Sequence, residues 1–187
     1  MAAEGEHPCD RTPHPDDARA ALAAIASLLA PAHPDVAEEV LRAHDSPHGY
    51  VSAFADRLDG RGIDEPVENL AWIALIDALD ARGLLAEFDW KEDAQEIRSQ
   101  LRGLESRPSA DPWVLFEDRE THLPTVEFLH ACGRHYRETG AALAVLDIES
   151  DCYPVVGLRA ARTEELTALA ARAGFPVHHL GAGSGGG

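Results

Sequence analysis

Three carboxylates alternate with other residues in the stretch LDIESDCYPV, which begins at Leu146. In an extended chain the spacing i, i+2, i+4 places Asp147, Glu149 and Asp151 on one face. Carboxylate oxygens grouped in this way suit Mg²⁺ or Ca²⁺. The stretch is therefore a candidate metal or catalytic site, and a contact with a partner protein is another interpretation.

The same stretch departs from the calcium-binding loop pattern. Cys152 stands where that loop needs glycine, and Leu158 stands where it needs a bidentate glutamate. Serine and aspartate are common turn formers because their side chains bond to the neighbouring backbone. We therefore predict that residues 149–152 form a surface turn between two strands, and that the three acids bind no metal tightly.

A second acidic segment, EFDWKEDAQEI, surrounds the only lysine of the chain. Asp89 or Asp93 could cap the helix that follows, since acids suit the positive end of a helix dipole. The segment could instead form a contact patch, because aromatic residues anchor interfaces. In that patch Trp90 and Lys91 would be surrounded by Asp89, Glu92 and Asp93. A lysine among carboxylates keeps its charge, so we expect no lysine chemistry here.

The histidines and cysteines form no recognisable metal motif. Cys132 and His135 have i, i+3 spacing on one predicted helix, but His130 and His135 point apart, and zinc needs three or four convergent ligands. The sequence also contains no Gly-x-Ser-x-Gly elbow, phosphate-binding loop or dinucleotide fingerprint. It predicts no catalytic residue, metal ligand or cofactor.

The overall charge limits the possible partners. The chain of 187 residues carries 33 acidic and 16 basic side chains, a net charge of −17. Such a surface opposes binding to nucleic acids and to anionic membranes, whereas it could steer a basic protein partner. With no signal peptide or membrane-spanning stretch, and with three scattered cysteines, the sequence indicates a cytoplasmic protein. It does not predict the oligomeric state.

The hydrophobic periodicity predicts a helical N-terminal half. Helices are expected over 16–30 and 35–43, and a third should begin at Pro47, with Ser46 as its cap, and end at Gly60. The segment PVENLAWIALIDALDARG is apolar nearly all round. It predicts a central helix with Pro66 in its first turn and with Trp72 and Leu75 in the core.

The second half predicts alternating helices and strands. A glycine follows a predicted helix and precedes a short apolar run in three segments, ARG-LLAEFDW, ETG-AALAVLDI and RAG-FPVHHL. The segment YPVVGL is a further strand candidate. Further helices are expected over 94–104, 125–139 and 163–173. We predict an α+β fold with a small sheet of three or four strands covered by helices. Residues 15–180 form the domain, between a mobile N-terminal tail (1–14) and a flexible glycine-rich tail (181–187).

Two stretches, LAWIALIDALDARGLLAEFDWKED and LDIESDCYPVVGL, resemble an uncharacterised bacterial family, a domain of unknown function. The resemblance covers roughly residues 65–180. It implies a bacterial cytosolic protein and supplies no reaction and no site residue.

Two functional hypotheses from different classes follow. The first is a non-catalytic interaction protein of the immunity or accessory type, which neutralises a basic partner. The second is a carboxylate- or metal-dependent hydrolase that uses the acids of the two segments. Convergence of Asp89 or Asp93 with Asp147 or Asp151 in a concave pocket would favour the enzyme.

Overall fold

The computed structural model describes residues 15–182, in which eight α-helices and four β-strands form an α+β fold. The helices are α1 (Pro15–Leu29), α2 (Pro34–Asp45), α3 (Pro47–Ala53), α4 (Ala55–Asp59), α5 (Leu70–Asp80), α6 (Ala94–Gly103), α7 (Thr125–Glu138) and α8 (Thr163–Ala173). The strands are β1 (Leu85–Asp89), β2 (Ala141–Leu146), β3 (Cys152–Arg159) and β4 (Val177–His179). The predicted fold class is confirmed: the N-terminal half is helical and the sheet comes mainly from the second half.

The sheet has the strand order β1-β3-β2-β4, and every neighbouring pair is antiparallel. Strands β2 and β3 form the predicted hairpin, and their connection spans residues 147–151. Strand β1 pairs with the other side of β3, with Asp89 opposite Cys152. The C-terminal ends of β1 and β2 and the N-terminal end of β3 therefore lie at the same end of the sheet.

One face of the sheet is covered by α1, α2, α5 and α8. Every residue of α5 from Leu70 to Leu79 is buried, because this helix lies between the first two helices and the sheet. Trp72 and Leu75 are both 0% exposed, which confirms the predicted central helix. The Trp72 ring stacks on Phe175 with 4.8 Å between ring centroids, and its indole Nε1 donates to the Asp147 carbonyl oxygen at 3.0 Å.

The opposite face of the sheet carries a second apolar core. Helices α6 and α7 pack there against alternate residues of the strands, including Phe88, Leu143 and Val155. A sheet covered on both faces explains why all six residues of β2 are buried.

Three local predictions were wrong. Pro66 lies outside α5, because the chain first forms a turn in which Leu70 N donates to Val67 O, and the helix begins at Leu70. Ser46 precedes α3 but makes no capping bond with its side chain; its backbone N–H closes α2 by donating to Arg42 O. The predicted third helix is interrupted at Phe54, where φ is −121° and the ring lies against Tyr50.

The prediction that a glycine precedes each of three strands is confirmed. Gly83, Gly140 and Gly174 end a helix or turn before β1, β2 and β4, with φ of 63°, 80° and 85°. Residues with a side chain rarely adopt this conformation, so glycine is needed there.

The predicted tails lie mostly outside the described residues. Residues 1–14 and 183–187 are not described, so the predicted tails remain predictions there. Gly181, at the start of the predicted C-terminal tail, donates its N–H to His130 Nδ1 at 3.2 Å. None of the helices between residues 15 and 182 combines the length and apolar character that crossing a bilayer requires.

Candidate functional site

The two acidic segments lie side by side at one end of the sheet. Strand β1 ends at Asp89, which is opposite Cys152, the first residue of β3. The turn after β1 (residues 90–93) is therefore next to the β2–β3 connection (residues 147–151). We call these two segments, together with Asp89, the acidic end of the sheet.

The turn after β1 is fixed by its own side chains. Asp89 Oδ1 accepts from Lys91 N at 2.9 Å, and Asp89 O accepts from Glu92 N at 3.0 Å. Asp93 Oδ1 accepts from the backbone N–H groups of residues 95 and 96, at 2.8 and 3.0 Å. Asp93 is therefore the cap of α6, which confirms one of the two predicted capping residues. The turn that precedes the helix is anchored at both ends.

Trp90 projects from this turn, with 51% of its surface exposed. The Lys91 ammonium lies over its ring, 4.1 Å from the ring centroid. Such a cation–π contact is weak at an exposed site. It still holds the only lysine of the chain beside the indole and within a group of carboxylates.

The β2–β3 connection is bent, so the alternate spacing does not place its three acids on one face. Asp147 Oδ1 accepts from Glu149 N at 2.7 Å, and Glu149 has a φ of 57°. Asp147 Oδ2 lies 3.0 Å from His178 Nε2. Glu149 and Asp151 are exposed at the tip. Asp147 therefore shapes the loop, while the other two acids point their charge toward solvent.

Cys152 lies between carboxylates at the start of β3. Burial raises the pKa of its thiol, and the charges of Glu87, Asp89 and Asp151 raise it further, whereas Arg61 opposes the shift. A thiol with a raised pKa is mostly protonated near neutral pH, and it is a poor nucleophile in that form. Burial and the neighbouring carboxylates therefore disfavour the thiolate form of Cys152.

A partly buried ion-pair network, centred on the buried Asp77, supports the acidic end from the α5 side. Arg61 Nε donates to Asp77 Oδ1 at 2.8 Å, and Arg61 Nη2 donates to Glu87 Oε2 at 2.8 Å. Arg57 Nε lies 3.4 Å from the other Asp77 oxygen. Burial raises the pKa of the Asp77 carboxyl, and both arginines work against that rise. The network thus joins α5 to β1 next to the site.

A cavity of about 240 Å³ opens beside the β2–β3 connection. Its apolar walls come from Val126, Leu129, Tyr153 and Leu180, and Asp147 and His178 line its polar side. The start of α7 also contacts the turn after β1, because Thr125 Oγ1 donates to Glu92 O at 3.0 Å. Val126, the next residue along α7, lines the cavity, so the cavity is adjacent to the turn that carries Trp90.

The histidines and the cysteine of α7 do not converge. Cys132 is buried in the second core, where burial raises the pKa of its thiol. His135 Nε2 lies 3.1 Å from Glu120 Oε2, and His130 Nδ1 accepts from Gly181 N. Within residues 15–182, no group of three His, Cys, Asp or Glu side chains is arranged to hold a metal ion.

Sequence reasoning missed the ion-pair network and the cavity. The position of Asp77 could have revealed the network, because this acid interrupts the apolar run of α5 and is buried with it. A buried acid needs a partner, and an arginine partner could have been inferred. The cavity gave no comparable signal, because its walls come from α7, β2, β3 and the segment after β4.

The family model of a domain of unknown function, DUF6630, matches residues 21–181. The match confirms the resemblance and begins well before residue 65, so it includes the N-terminal helices. No curated protein and no solved structure matches the chain.

Proposed function

The chain belongs to the DUF6630 family, and we propose that it is a non-catalytic bacterial interaction protein of the immunity or accessory type that binds a basic protein partner. The acidic end of the sheet is the proposed binding surface. Its candidate contact and supporting residues are Asp89, Trp90, Glu92, Asp93, Asp147, Glu149 and Asp151.

The observation that carries the proposal is the half-exposed Trp90 on a fixed turn. Exposing a large aromatic ring to water is unfavourable. A disordered loop does not explain the exposure of Trp90, because the side chains of Asp89 and Asp93 hold the turn on either side. Tryptophan is enriched among the residues that dominate binding energy at interfaces. A rigid turn also loses little conformational entropy on binding.

The surrounding charges indicate the kind of partner. The two segments with Asp89 carry six carboxylates and one lysine. Asp89, Asp93 and Asp147 hold their loops through side-chain oxygens, which leaves Glu149 and Asp151 to face a partner. Carboxylates clustered around an aromatic anchor favour arginine- and lysine-rich surfaces and accelerate their association.

The neighbouring cavity provides the apolar part of the surface. Val126 on its rim is 39% exposed, and Leu129, Tyr153 and Leu180 form its walls. A volume of about 240 Å³ suits one apolar side chain of the partner better than a whole small ligand. The combination of an apolar pocket, an aromatic anchor and a charged rim is typical of protein interfaces.

The test is affinity purification from the native cell followed by mass spectrometry, with matched variants. Trp90→Ala should reduce recovery of the specific partner at least about tenfold, since loss of a dominant interface residue is worth about 2 kcal/mol or more. Asp151→Asn should weaken recovery most at low salt. The controls are Val114→Ala, another exposed apolar side chain, and Glu38→Gln, an exposed acid on α2. A partner recovered equally by wild type and Trp90→Ala would contradict the proposal.

A second candidate function, a carboxylate-dependent hydrolase, is favoured by the pair of Asp147 and His178. A carboxylate bound to a histidine can orient it as a general base. Ser150 and Cys152 line the same cavity, although Ser150 Oγ accepts from Cys152 N at 3.2 Å. Labelling by a fluorophosphonate probe that is lost in both Ser150→Ala and His178→Ala would support this function over the first.

The proposal also places the protein in a bacterial cytoplasm. The thiols of Cys132 and Cys152 are both free, as is usual in a reducing compartment. We further expect no binding to nucleic acid and no adsorption to anionic membranes, because the net charge of −17 repels both.

A further inference from the structure

The end of the sheet opposite the acidic end carries a cavity of about 720 Å³. It lies where β2 begins and β3 ends, and Ala141 and Arg159 are paired there in the sheet. The loop after α6 closes one side, and the end of α1 closes another. A cavity of this volume is in the range of sites that hold small molecules.

The charge around this cavity is opposite to that of the chain as a whole. Its lining includes Arg107, Arg159 and Arg162 and no acidic residue, although acids outnumber bases two to one in the sequence. Arg162 is paired with Glu165, with 2.8 Å between Nη2 and Oε1. Within residues 15–182, neither Arg107 nor Arg159 has a carboxylate partner. The cavity therefore faces two cations whose charges are uncompensated.

A buried hydroxyl in the same wall lacks a hydrogen-bond partner. Ser106 Oγ is shielded from solvent and bonds to no other group of residues 15–182. It lies against Gly157, where an added Cβ would be only 2.9 Å away. Leaving a hydroxyl unpaired is unfavourable unless a ligand or water satisfies it. The same lining thus offers an unpaired hydroxyl and two arginines without a carboxylate partner, of which Arg107 also donates from Nη1 to Leu104 O at 3.3 Å.

We propose that this cavity binds a small molecule with an anionic oxygen group, either a phosphate ester or a carboxylate. Arg107 and Arg159 contact the anion, and the Ser106 hydroxyl donates to it. Leu28, Leu29 and Leu158, which also line the cavity, contact an apolar body of the ligand. The site is separate from the acidic end of the sheet, so its occupation does not depend on the proposed protein partner.

An NMR titration tests the proposal, with the amide signals of Gly140 and Gly157 as local reporters. The probes are phenyl phosphate, benzoate and inorganic phosphate. We expect saturable shifts with phenyl phosphate or benzoate, with a dissociation constant below about 1 mM. Tighter binding of phenyl phosphate would identify the anion as a phosphate ester, and tighter binding of benzoate would identify it as a carboxylate. Inorganic phosphate should bind more weakly, because it lacks an apolar body, and equal affinity would contradict the apolar contact.

Matched variants distinguish a built site from weak surface adsorption. Arg107→Gln and Arg159→Gln should each weaken binding at least about fivefold, whereas Arg172→Gln, an exposed arginine on α8, and Trp90→Ala should bind as wild type. Ser106→Ala should weaken binding without lowering the unfolding midpoint, since the hydroxyl bonds to no other group of residues 15–182. The absence of saturable shifts with every probe, or wild-type affinity in both Arg107→Gln and Arg159→Gln, would overturn the proposal.

Discussion

Asp89 and Cys152 are direct partners in the sheet, although 62 intervening residues separate them in the sequence. Their pairing brings the turn that carries Trp90 beside the β2–β3 connection. It also places a carboxylate next to a thiol, whose pKa is raised by burial and by the charges of Glu87 and Asp89. This pairing is the basis of the proposed binding surface.

The reactivity of Cys152 tests the pairing directly. In a Cys9→Ser background, Asp89→Asn should shift the pH midpoint of thiol modification downward, because removing a negative charge favours the thiolate. The amide oxygen of asparagine can still accept from Lys91 N, so the turn should persist. Rates with a disulfide reagent between about pH 7 and 10, around the ordinary thiol pKa, provide the measurement. The distant Glu38→Gln should leave the midpoint unchanged, and equal midpoints in both variants would contradict the pairing.

Trp72 should contribute strongly to stability, because it joins the first core to the β2–β3 connection. Trp72→Ala should lower the free energy of unfolding by about 3–5 kcal/mol, and Leu75→Ala by about 2–5 kcal/mol. Val114→Ala should change it by less than about 0.5 kcal/mol, since Val114 is 78% exposed. Chemical denaturation measures all three, and midpoints close to wild type for Trp72→Ala and Leu75→Ala would contradict the described core.

The C-terminal segment crosses α7 at a glycine, and this contact can be tested with a pair of alanine substitutions. A Cβ at Gly133 would lie 2.3 Å from the Leu180 carbonyl carbon, so Gly133→Ala must displace the segment after β4. We expect a loss of about 1–3 kcal/mol. Gly103, at the end of α6, has open space around it, and Gly103→Ala should be neutral or slightly stabilising. Thermal unfolding compares the two variants; similar midpoints would mean that the segment does not pack on α7.

The sequence predicted those parts of the fold that depend on local signals. A few adjacent residues are enough to predict the hydrophobic pattern of α5, the left-handed glycines before β1, β2 and β4, and the capping of α6 by Asp93. Pro66 and Ser46 were misassigned because proline and serine favour helix starts only on average, and the surrounding turn decides which residue begins the helix.

The site was less accessible from sequence because it is assembled by long-range pairing. Its acids and Trp90 could be singled out, but their proximity depends on β1 joining the far side of β3, which no local pattern encodes. The bend at Asp147 also depends on partners distant in sequence, namely His178 and the indole of Trp72. The arginine-lined cavity was also inaccessible from the sequence, since its walls come from four separate segments of the chain.

The net charge gives a prediction about nucleic acids. At about 150 mM salt we expect no gel shift of mixed duplex or single-stranded probes at micromolar protein, because few cations are available to replace counterions. The arginine-lined cavity is too small to follow a phosphate backbone. Salt-sensitive binding of either probe would contradict this expectation.

Site-specific crosslinking in the native cell tests the proposed binding surface most directly. A photoreactive p-benzoylphenylalanine replaces Trp90 in one variant and the more exposed Val114 in another. Position 90 should crosslink to one basic protein, and the Asp151→Asn substitution should weaken that product, whereas position 114 should not form it. No crosslink at position 90, or the same product from both positions, would contradict the assignment of the acidic end as the binding surface.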